Sequence, residues 1–365
     1  MTRFVVKQII YHAARVLSWV LFLLTLMAAY GGYFNPERWT FPSIGVLFFP
    51  YLAIFTLITA GVWLFTRHYF IGGAGILVLM ACGPTFADAV PFRYGRAASN
   101  PDKTFKMITF NCLHMTDTKN KNAKSNRSLH FLIHSGADFI CLQELYTVGQ
   151  PEIPVKYQSQ IDSLLAIYPY YSKDPGREIE FLSKYPFTQY NINLETRTKY
   201  GNCAAYKFDI DGEPLTVINV HLPSYLLSEN ERDVITEARS KAGVKKSLKK
   251  FEGSIYRKMK NAFKLRGEVA RGLAEYAEAI EGNVIICGDF NDVPGSWAYR
   301  NFTKRGFRDA YAETGFGHII TYNQHLMWFH IDQILYKGEM EPLYVRKERL
   351  SASDHYPLVA EFEFM

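Results

Sequence analysis

The stretch Asn283–Val293, NVIICGDFNDV, decides how this chain is read. Val284, Ile285, Ile286 and Cys287 make a short apolar run of the kind found in a strand buried on both faces. Gly288 permits a sharp, close-packed turn, and Asp289, Asn291 and Asp292 follow at once. An acid and an amide two residues apart at a strand end point the same way. Asp289 and Asn291 therefore stand side by side at the rim of a rigid sheet. Phosphoryl transfer calls for such a pair, a carboxylate to orient a water or cation and a carboxamide to hold phosphate. Taken alone, the stretch fits a solvated turn equally well.

Other strand ends carry similar residues. Phe105–Phe110 is apolar and β-prone and runs into Asn111, and Asp138–Leu142 runs into Gln143 and Glu144. Cys203–Ile210 and Pro214–Val220 read as a hairpin around Asp211-Gly212, a favoured turn pair, and the second strand ends in His221 before Leu222-Pro223. Tyr322 and an aromatic pair precede Ile331–Leu335, a strand with one buried acid, Asp332. Asp354-His355 sit at a turn before an alternating last strand. Helical spacing marks Ser125–His134, Gln158–Ile167, Glu268–Ile280 and Ser296–Arg305. His114, His130 and His134 have no partner pattern and read as surface or loop residues. The five cysteines are scattered through apolar runs without a zinc spacing.

The first ninety or so residues are a different material. Residues 16–36, 39–66 and 69–87 carry no charge, and each run is long enough to cross ~30 Å of hydrocarbon as a helix. The expectation is a transmembrane region over residues 1–90 with helices at 16–36, 42–66 and 69–88, then a linker at 91–103 and a catalytic domain at 104–365. Arg3, Lys7, Arg15 and Arg67 place the N-terminus in the cytoplasm by the positive-inside rule, and three crossings put the domain on the extracytoplasmic side. Arg239–Arg266 holds eleven Lys or Arg and one acid, with apolar residues at near-helical spacing. It reads as a solvated helix face, a contact for anionic lipid, or a contact for a polyanionic substrate. The formal net charge of +6 is too mild to fix a partner.

Taken together, the motifs TFNC, LQE, SKYP, NVHL, GDFND, HIDQIL and SDHYP resemble those of the endonuclease/exonuclease/phosphatase superfamily, across the whole of residues 104–365. The resemblance implies a four-layer α/β sandwich, two mostly antiparallel sheets flanked by helices. It implies Glu144 as principal metal ligand, with Asn111 and Asp354 in or near the metal shell; such oxygen donors suit Mg²⁺ or Mn²⁺. His355 would be oriented by Asp332, and either His355 or Asp289 would activate water. His221 would donate to the phosphoryl oxygens, and Asn291 and Tyr322 would contact substrate. Two departures stand out: His330-Ile331-Asp332-Gln333 where many relatives have Arg-Ile-Asp-Tyr, and Lys184 where Arg is common. The expected function is a membrane-tethered, Mg²⁺-dependent phosphoester hydrolase acting on nucleic acid, a phospholipid headgroup or a soluble phosphoester. The competing expectation is a non-catalytic membrane receptor or scaffold on the same fold.

Overall fold

The computed structural model describes residues 3–117, 125–145, 155–173, 178–192, 202–225, 255–324 and 327–365. Two six-stranded sheets stack face to face. The first has the order β13-β14-β1-β2-β4-β3 and the second β5-β6-β7-β8-β12-β9. The strands of the first sheet are β1 (Thr104–Asn111), β2 (Phe139–Gln143), β3 (Tyr170–Lys173), β4 (Ile179–Ser183), β13 (Met340–Lys347) and β14 (Leu358–Phe364). Those of the second are β5 (Phe187–Asn191), β6 (Asn202–Ile210), β7 (Glu213–His221), β8 (Asn283–Asp289), β9 (Arg308–Asp309) and β12 (Asp332–Lys337). Each sheet has one parallel pair near its centre, β1 with β2 and β7 with β8; the other pairs are antiparallel. A parallel pair needs a crossover, and each crossover here carries a helix. α6 (Arg127–His134) lies in the first crossover and α8 (Tyr256–Glu278) in the second.

Alternation along the strands sends one set of side chains between the sheets. Phe105, Phe139, Phe181, Tyr206, Val217 and Phe362 belong to this core. The opposite faces pack on helices. Leu129 and Leu132 of α6 and Leu164 of α7 (Gln158–Ile167) cover the first sheet. Val269, Leu273 and Ala277 of α8 and Phe302 of α9 (Trp297–Thr303) cover the second. The result is helix, sheet, sheet, helix: the expected four-layer sandwich. Asp211 and Gly212 both have positive φ, as the hairpin between β6 and β7 requires.

The N-terminal helices depart from the three expected runs. α1 spans Arg3–Tyr30, starting well before residue 16. The run 42–66 breaks at Phe48 into α2 (Thr40–Leu47) and α3 (Phe49–Phe65), bent by 71°, and 69–88 breaks at Cys82 into α4 (Tyr69–Ala81) and α5 (Gly83–Ala89), bent by 59°. Pro50 and Pro84 lie in the first turn of α3 and α5, where a missing N–H costs nothing but a preceding helix cannot continue. Among the described residues, only the helical stretch Phe4–Tyr33 is long and apolar enough by itself to cross a membrane; each bent pair would have to count as one span to reach three. Small residues let the bundle close: a methyl on Gly75 would sit 2.8 Å from Ala60 and Phe22. The Thr25 and Thr56 hydroxyls pair across the bundle at 2.7 Å.

Residues 91–103, expected as a linker, are strapped to the sandwich. Phe92 bridges to Phe316, Arg93 N–H donates to Gly315 O, and Arg96 pairs with Glu341 and Glu363. Of the basic segment, residues 239–254 lie outside the described residues.

Candidate active site

The four central parallel strands end at the same edge of the sandwich. β1 delivers Asn111, the end of β2 Glu144, β7 His221 and β8 Asp289. Register aligns the second sheet: His221 lies opposite Asp289, and Asp289 opposite Asp332 at the start of β12. The turn before β14 brings His355 over this row. Glu144 and Asn291 sit in the left-handed region, φ 53° and 50°. Such backbone costs on the order of 1–3 kcal/mol in a non-glycine residue and persists where the surroundings enforce it.

Asp289 Oδ2 is the focus. The Asn111 amide donates to it at 3.0 Å and to Glu144 Oε1 at 2.9 Å, joining the two sheets. His355 Nε2 is 3.7 Å and His221 Nε2 3.8 Å from the same oxygen. Asp289 Oδ1 accepts the Asn291 N–H at 2.7 Å. His355 Nδ1 lies 2.9 Å from Asp332 Oδ2, a carboxylate–imidazole dyad. Asp332 is itself placed by Thr321, whose Oγ1 accepts the N–H groups of Ile331 and Asp332. The Tyr322 ring meets His355 edge-on at 5.0 Å. Asn291 turns its Nδ2 to Leu222 O at 3.0 Å, bracing the loop after His221. The half-buried Asp354 accepts from Ser353 Oγ at 3.3 Å, beside rather than within the carboxylate cluster.

Burial raises the Asp289 carboxyl above its ordinary range; the two imidazoles pull it down and Asp332 pushes it up. Burial alone would depress His355, but Asp332 and Asp289 outweigh it and hold the imidazole well above its usual value. The ligand atoms of Glu144, His221 and Asp289 lie within 4.8 Å of one another, as do those of Asp289, Asp332 and His355. Two carboxylates from opposite sheets converge on one amide, and this concentration of negative charge fits a hard divalent cation.

Sequence reasoning missed several supports. Gln143 and Asn219, both in the quoted motifs, form a buried plug between the sheets: Gln143 Nε2 donates to Asn219 Oδ1 at 2.6 Å. Asn219 Nδ2 donates to Leu142 O and Glu180 O. Glu178 reaches His221 Nδ1 at 3.8 Å. Arg266, read as part of a basic face, is fully buried. It pairs with Asp292 at 3.2 Å, donates twice to Pro223 O and packs on Tyr225. The two departures are structural. Burial pushes His330 down to about 3, a neutral ring against Tyr311, and Lys184 pairs with Asp138 at 3.0 Å.

A two-sheet α/β sandwich with a carboxylate–imidazole centre at its strand ends defines a class of metal-dependent phosphoester hydrolases. The chain belongs to the endonuclease/exonuclease/phosphatase family, which matches residues 108–355. A domain of unknown function, DUF8431, matches residues 8–87. No curated protein matches the chain. Among solved structures, a humanized TDP2 of D. rerio is similar over 72% of this chain and 99% of its own, at 15% identity and TM-score 0.49. An endonuclease/exonuclease/phosphatase from Beutenbergia cavernae matches over 72% of each chain, at 12% identity and TM-score 0.46. SmcL matches over 71% of this chain and 99% of its own, at 14% identity and TM-score 0.46.

Proposed function

We propose that this protein is a membrane-tethered phosphoester hydrolase that works with a divalent cation, Mg²⁺ or Mn²⁺. The observation that carries the reading is the convergence of Asn111, His221 and His355 on one oxygen of Asp289. Glu144, with Asn111 and Asp354 beside it, would hold the cation, which when bound offsets charge on the phosphoryl and leaving oxygens. Asp289 takes the proton of the attacking water. His221 and His355 present Nε2 to the phosphoryl oxygens, and Asp332 fixes the His355 ring through Nδ1. Asn291 and Tyr322 shape the substrate side. A receptor or scaffold would have no use for this complete set.

The tether reading rests on α1, α3 and α4. Tyr11 packs on Trp63 and His68 at one end of the bundle, and the Tyr30 hydroxyl donates to Ala81 O at the other. Tyr11 to Tyr30 is 19 residue steps (30 − 11), which at ~1.5 Å each is about 29 Å, a hydrocarbon thickness. Lys7, Arg15 and Arg67 belong to the end away from the sandwich, which favours a cytoplasmic N-terminus and an extracytoplasmic sandwich.

The test is hydrolysis of bis-p-nitrophenyl phosphate and p-nitrophenyl phosphate by the full chain in detergent micelles, with Mg²⁺, Mn²⁺ or EDTA. Metal-dependent turnover that falls at least a hundredfold in Glu144→Gln is expected. Equal rates in wild type and Glu144→Gln would refute the assignment.

A further inference from the structure

The catalytic edge and the apolar bundle share a wall. α2 bends away from α3 and buries Ile44, Val46 and Leu47 in one cluster with Val293, Tyr322 and Ile331. Each of these last three borders the chemistry. Val293 follows Asn291 by two residues, Tyr322 touches the His355 ring, and Ile331 precedes Asp332. Ile255, just before α8, and Met259 and Phe263 in its first turns complete the cluster.

The joint is tight. A methyl on Gly32 would lie 1.8 Å from the Gly295 carbonyl oxygen, so the two backbones are in direct contact. Arg300 of α9 stacks on Tyr33 at 4.1 Å, donates to Thr85 and lies 3.7 Å from Asp88. On the side of the site, the hairpin β10–β11 (Tyr322–Gln324, Met327–Phe329) sits on the start of α3. The Tyr51 hydroxyl donates to Trp328 O at 2.7 Å, and Phe48 packs edge-on against Phe329. The sandwich is therefore held at a fixed attitude to the bundle, with its strand-end edge beside α2 and the hairpin.

The surface at that joint is aromatic. Trp39 is 61% exposed, Phe41 58%, Phe48 45% and Trp328 43%. It continues the bare apolar faces of α1, α3 and α4, where Leu23, Phe55, Phe65 and Phe70 are exposed. Large exposed aromatics at the end of an apolar girdle are the composition of a membrane–water interface.

We infer that the site takes its phosphoester from the headgroup of a lipid in the leaflet beside the sandwich, with Phe48 and Trp328 seated among the lipids at the rim. The inference rests on the hydrolase and tether readings above. A headgroup phosphate lies at the level of that aromatic rim, and the shared wall holds Asp289, Asp332 and His355 next to it. One water adds across a P–O ester bond: its oxygen bonds to phosphorus, the bond to the leaving oxygen breaks, and that oxygen takes up a proton. The phosphoryl group and the alcohol part into separate products, one of which stays in the bilayer.

The experiment uses the full chain in proteoliposomes of phosphatidylcholine with phosphatidylglycerol, phosphatidylinositol or sphingomyelin, with Mg²⁺ or Mn²⁺. Parallel arms offer bis-p-nitrophenyl phosphate, glycerophosphocholine and a single-stranded DNA oligonucleotide. At least one bilayer lipid should turn over tenfold or more faster, as kcat/KM, than every soluble arm. In Phe48→Ser/Trp328→Ser the ratio of lipid to soluble-ester turnover should fall at least fivefold. A second readout needs no metal and no turnover. Shallow brominated lipids should quench tryptophan fluorescence more in wild type than in Trp328→Phe. Hydrolysis of soluble ester or DNA in preference to every lipid would overturn the inference and leave the hydrolase reading intact. Equal quenching in wild type and Trp328→Phe would also overturn it. Silence on all substrates would overturn both readings.

Discussion

Replacing Arg266 by Met tests how the site's back wall is held. The guanidinium is fully buried on α8, pairs with Asp292 at 3.2 Å, and donates to Pro223 O at 3.0 and 2.9 Å and to the Tyr225 hydroxyl at 3.2 Å. It thus ties the loop after His221 to the GDFND turn. Methionine keeps the methylenes and much of the volume but removes the charge, leaving Asp292 buried and unpaired. Breaking a buried pair from one side costs about 3–5 kcal/mol, because the remaining charge has no partner. Burial already raises the Asp292 carboxyl, with Arg266 the main force pulling it down, so the substitution pushes it higher. The sign follows. Unfolded Asp releases its proton near ~3.9, whereas the folded variant holds it to higher pH. Stability of the variant therefore falls as pH rises above ~4, and its deficit is smaller at pH 5 than at pH 8. Urea unfolding of the full chain in micelles, followed by tryptophan fluorescence, to which Trp297 beside Gly267 contributes, reads the deficit. The double variant Arg266→Met/Asp292→Asn should recover at least half of the loss. A single variant within about 1 kcal/mol of wild type at pH 8, or a double variant no better than the single, would refute the reasoning.

Three further outcomes are expected. Asp332→Asn removes the partner of His355 Nδ1 and should lower kcat on the order of 10²–10⁴-fold with KM little changed, as other imidazoles deprived of an orienting carboxylate do; steady-state kinetics on bis-p-nitrophenyl phosphate decides it. Burial raises the Asp309 carboxyl to about 7, so the wild type loses stability as pH rises from ~4 to about 7, by up to roughly 4 kcal/mol. Asp309→Asn keeps the cap on Tyr311 and Ala312 N–H and should flatten that slope in thermal midpoints measured against pH. Gly32→Ala forces a methyl into the Gly295 carbonyl and should loosen the joint between bundle and sandwich, read as faster protease cleavage near residue 91 in micelles.

What the sequence discloses depends on contrast. β8 shows because a run buried on both faces ends abruptly in Gly288, Asp289 and Asn291, and the same switch reveals Asn111, Glu144 and His221. β5, β13 and the hairpin β10–β11 have no such contrast. They are edge or peripheral strands with mixed faces, and no pattern in the sequence singles them out. Arg266 misleads because its charge outweighs its position. It falls on the stripe of Met259, Phe263, Ala270 and Leu273, three residues after Phe263 and four before Ala270, so its burial was written in the helical period. Likewise Pro50 and Pro84 mark the breaks inside two uncharged runs, but a count of uncharged residues passes over a proline. The plug of Gln143 with Asn219 could not be read, since it joins strands of different sheets.

The row His221, Asp289, Asp332 explains why the proposed site sits where it does. Three neighbouring strands place these side chains at one level through backbone hydrogen bonds alone, parallel from β7 to β8 and antiparallel from β8 to β12. Strand spacing of ~4.8 Å sets their separation before any side-chain contact forms. A slip of β8 by one residue against its neighbours would turn Asp289 to the other face and send Ile285 and Cys287 out of the inter-sheet core, so burial of that core enforces the register of the row. The first sheet contributes Asn111 and Glu144 from β1 and β2, paired in parallel one step below. Only the stacking of the two sheets brings Asn111 to Asp289, and the Gln143–Asn219 plug sets that stacking immediately beneath the site. The apolar core is thus the device that aligns the polar edge.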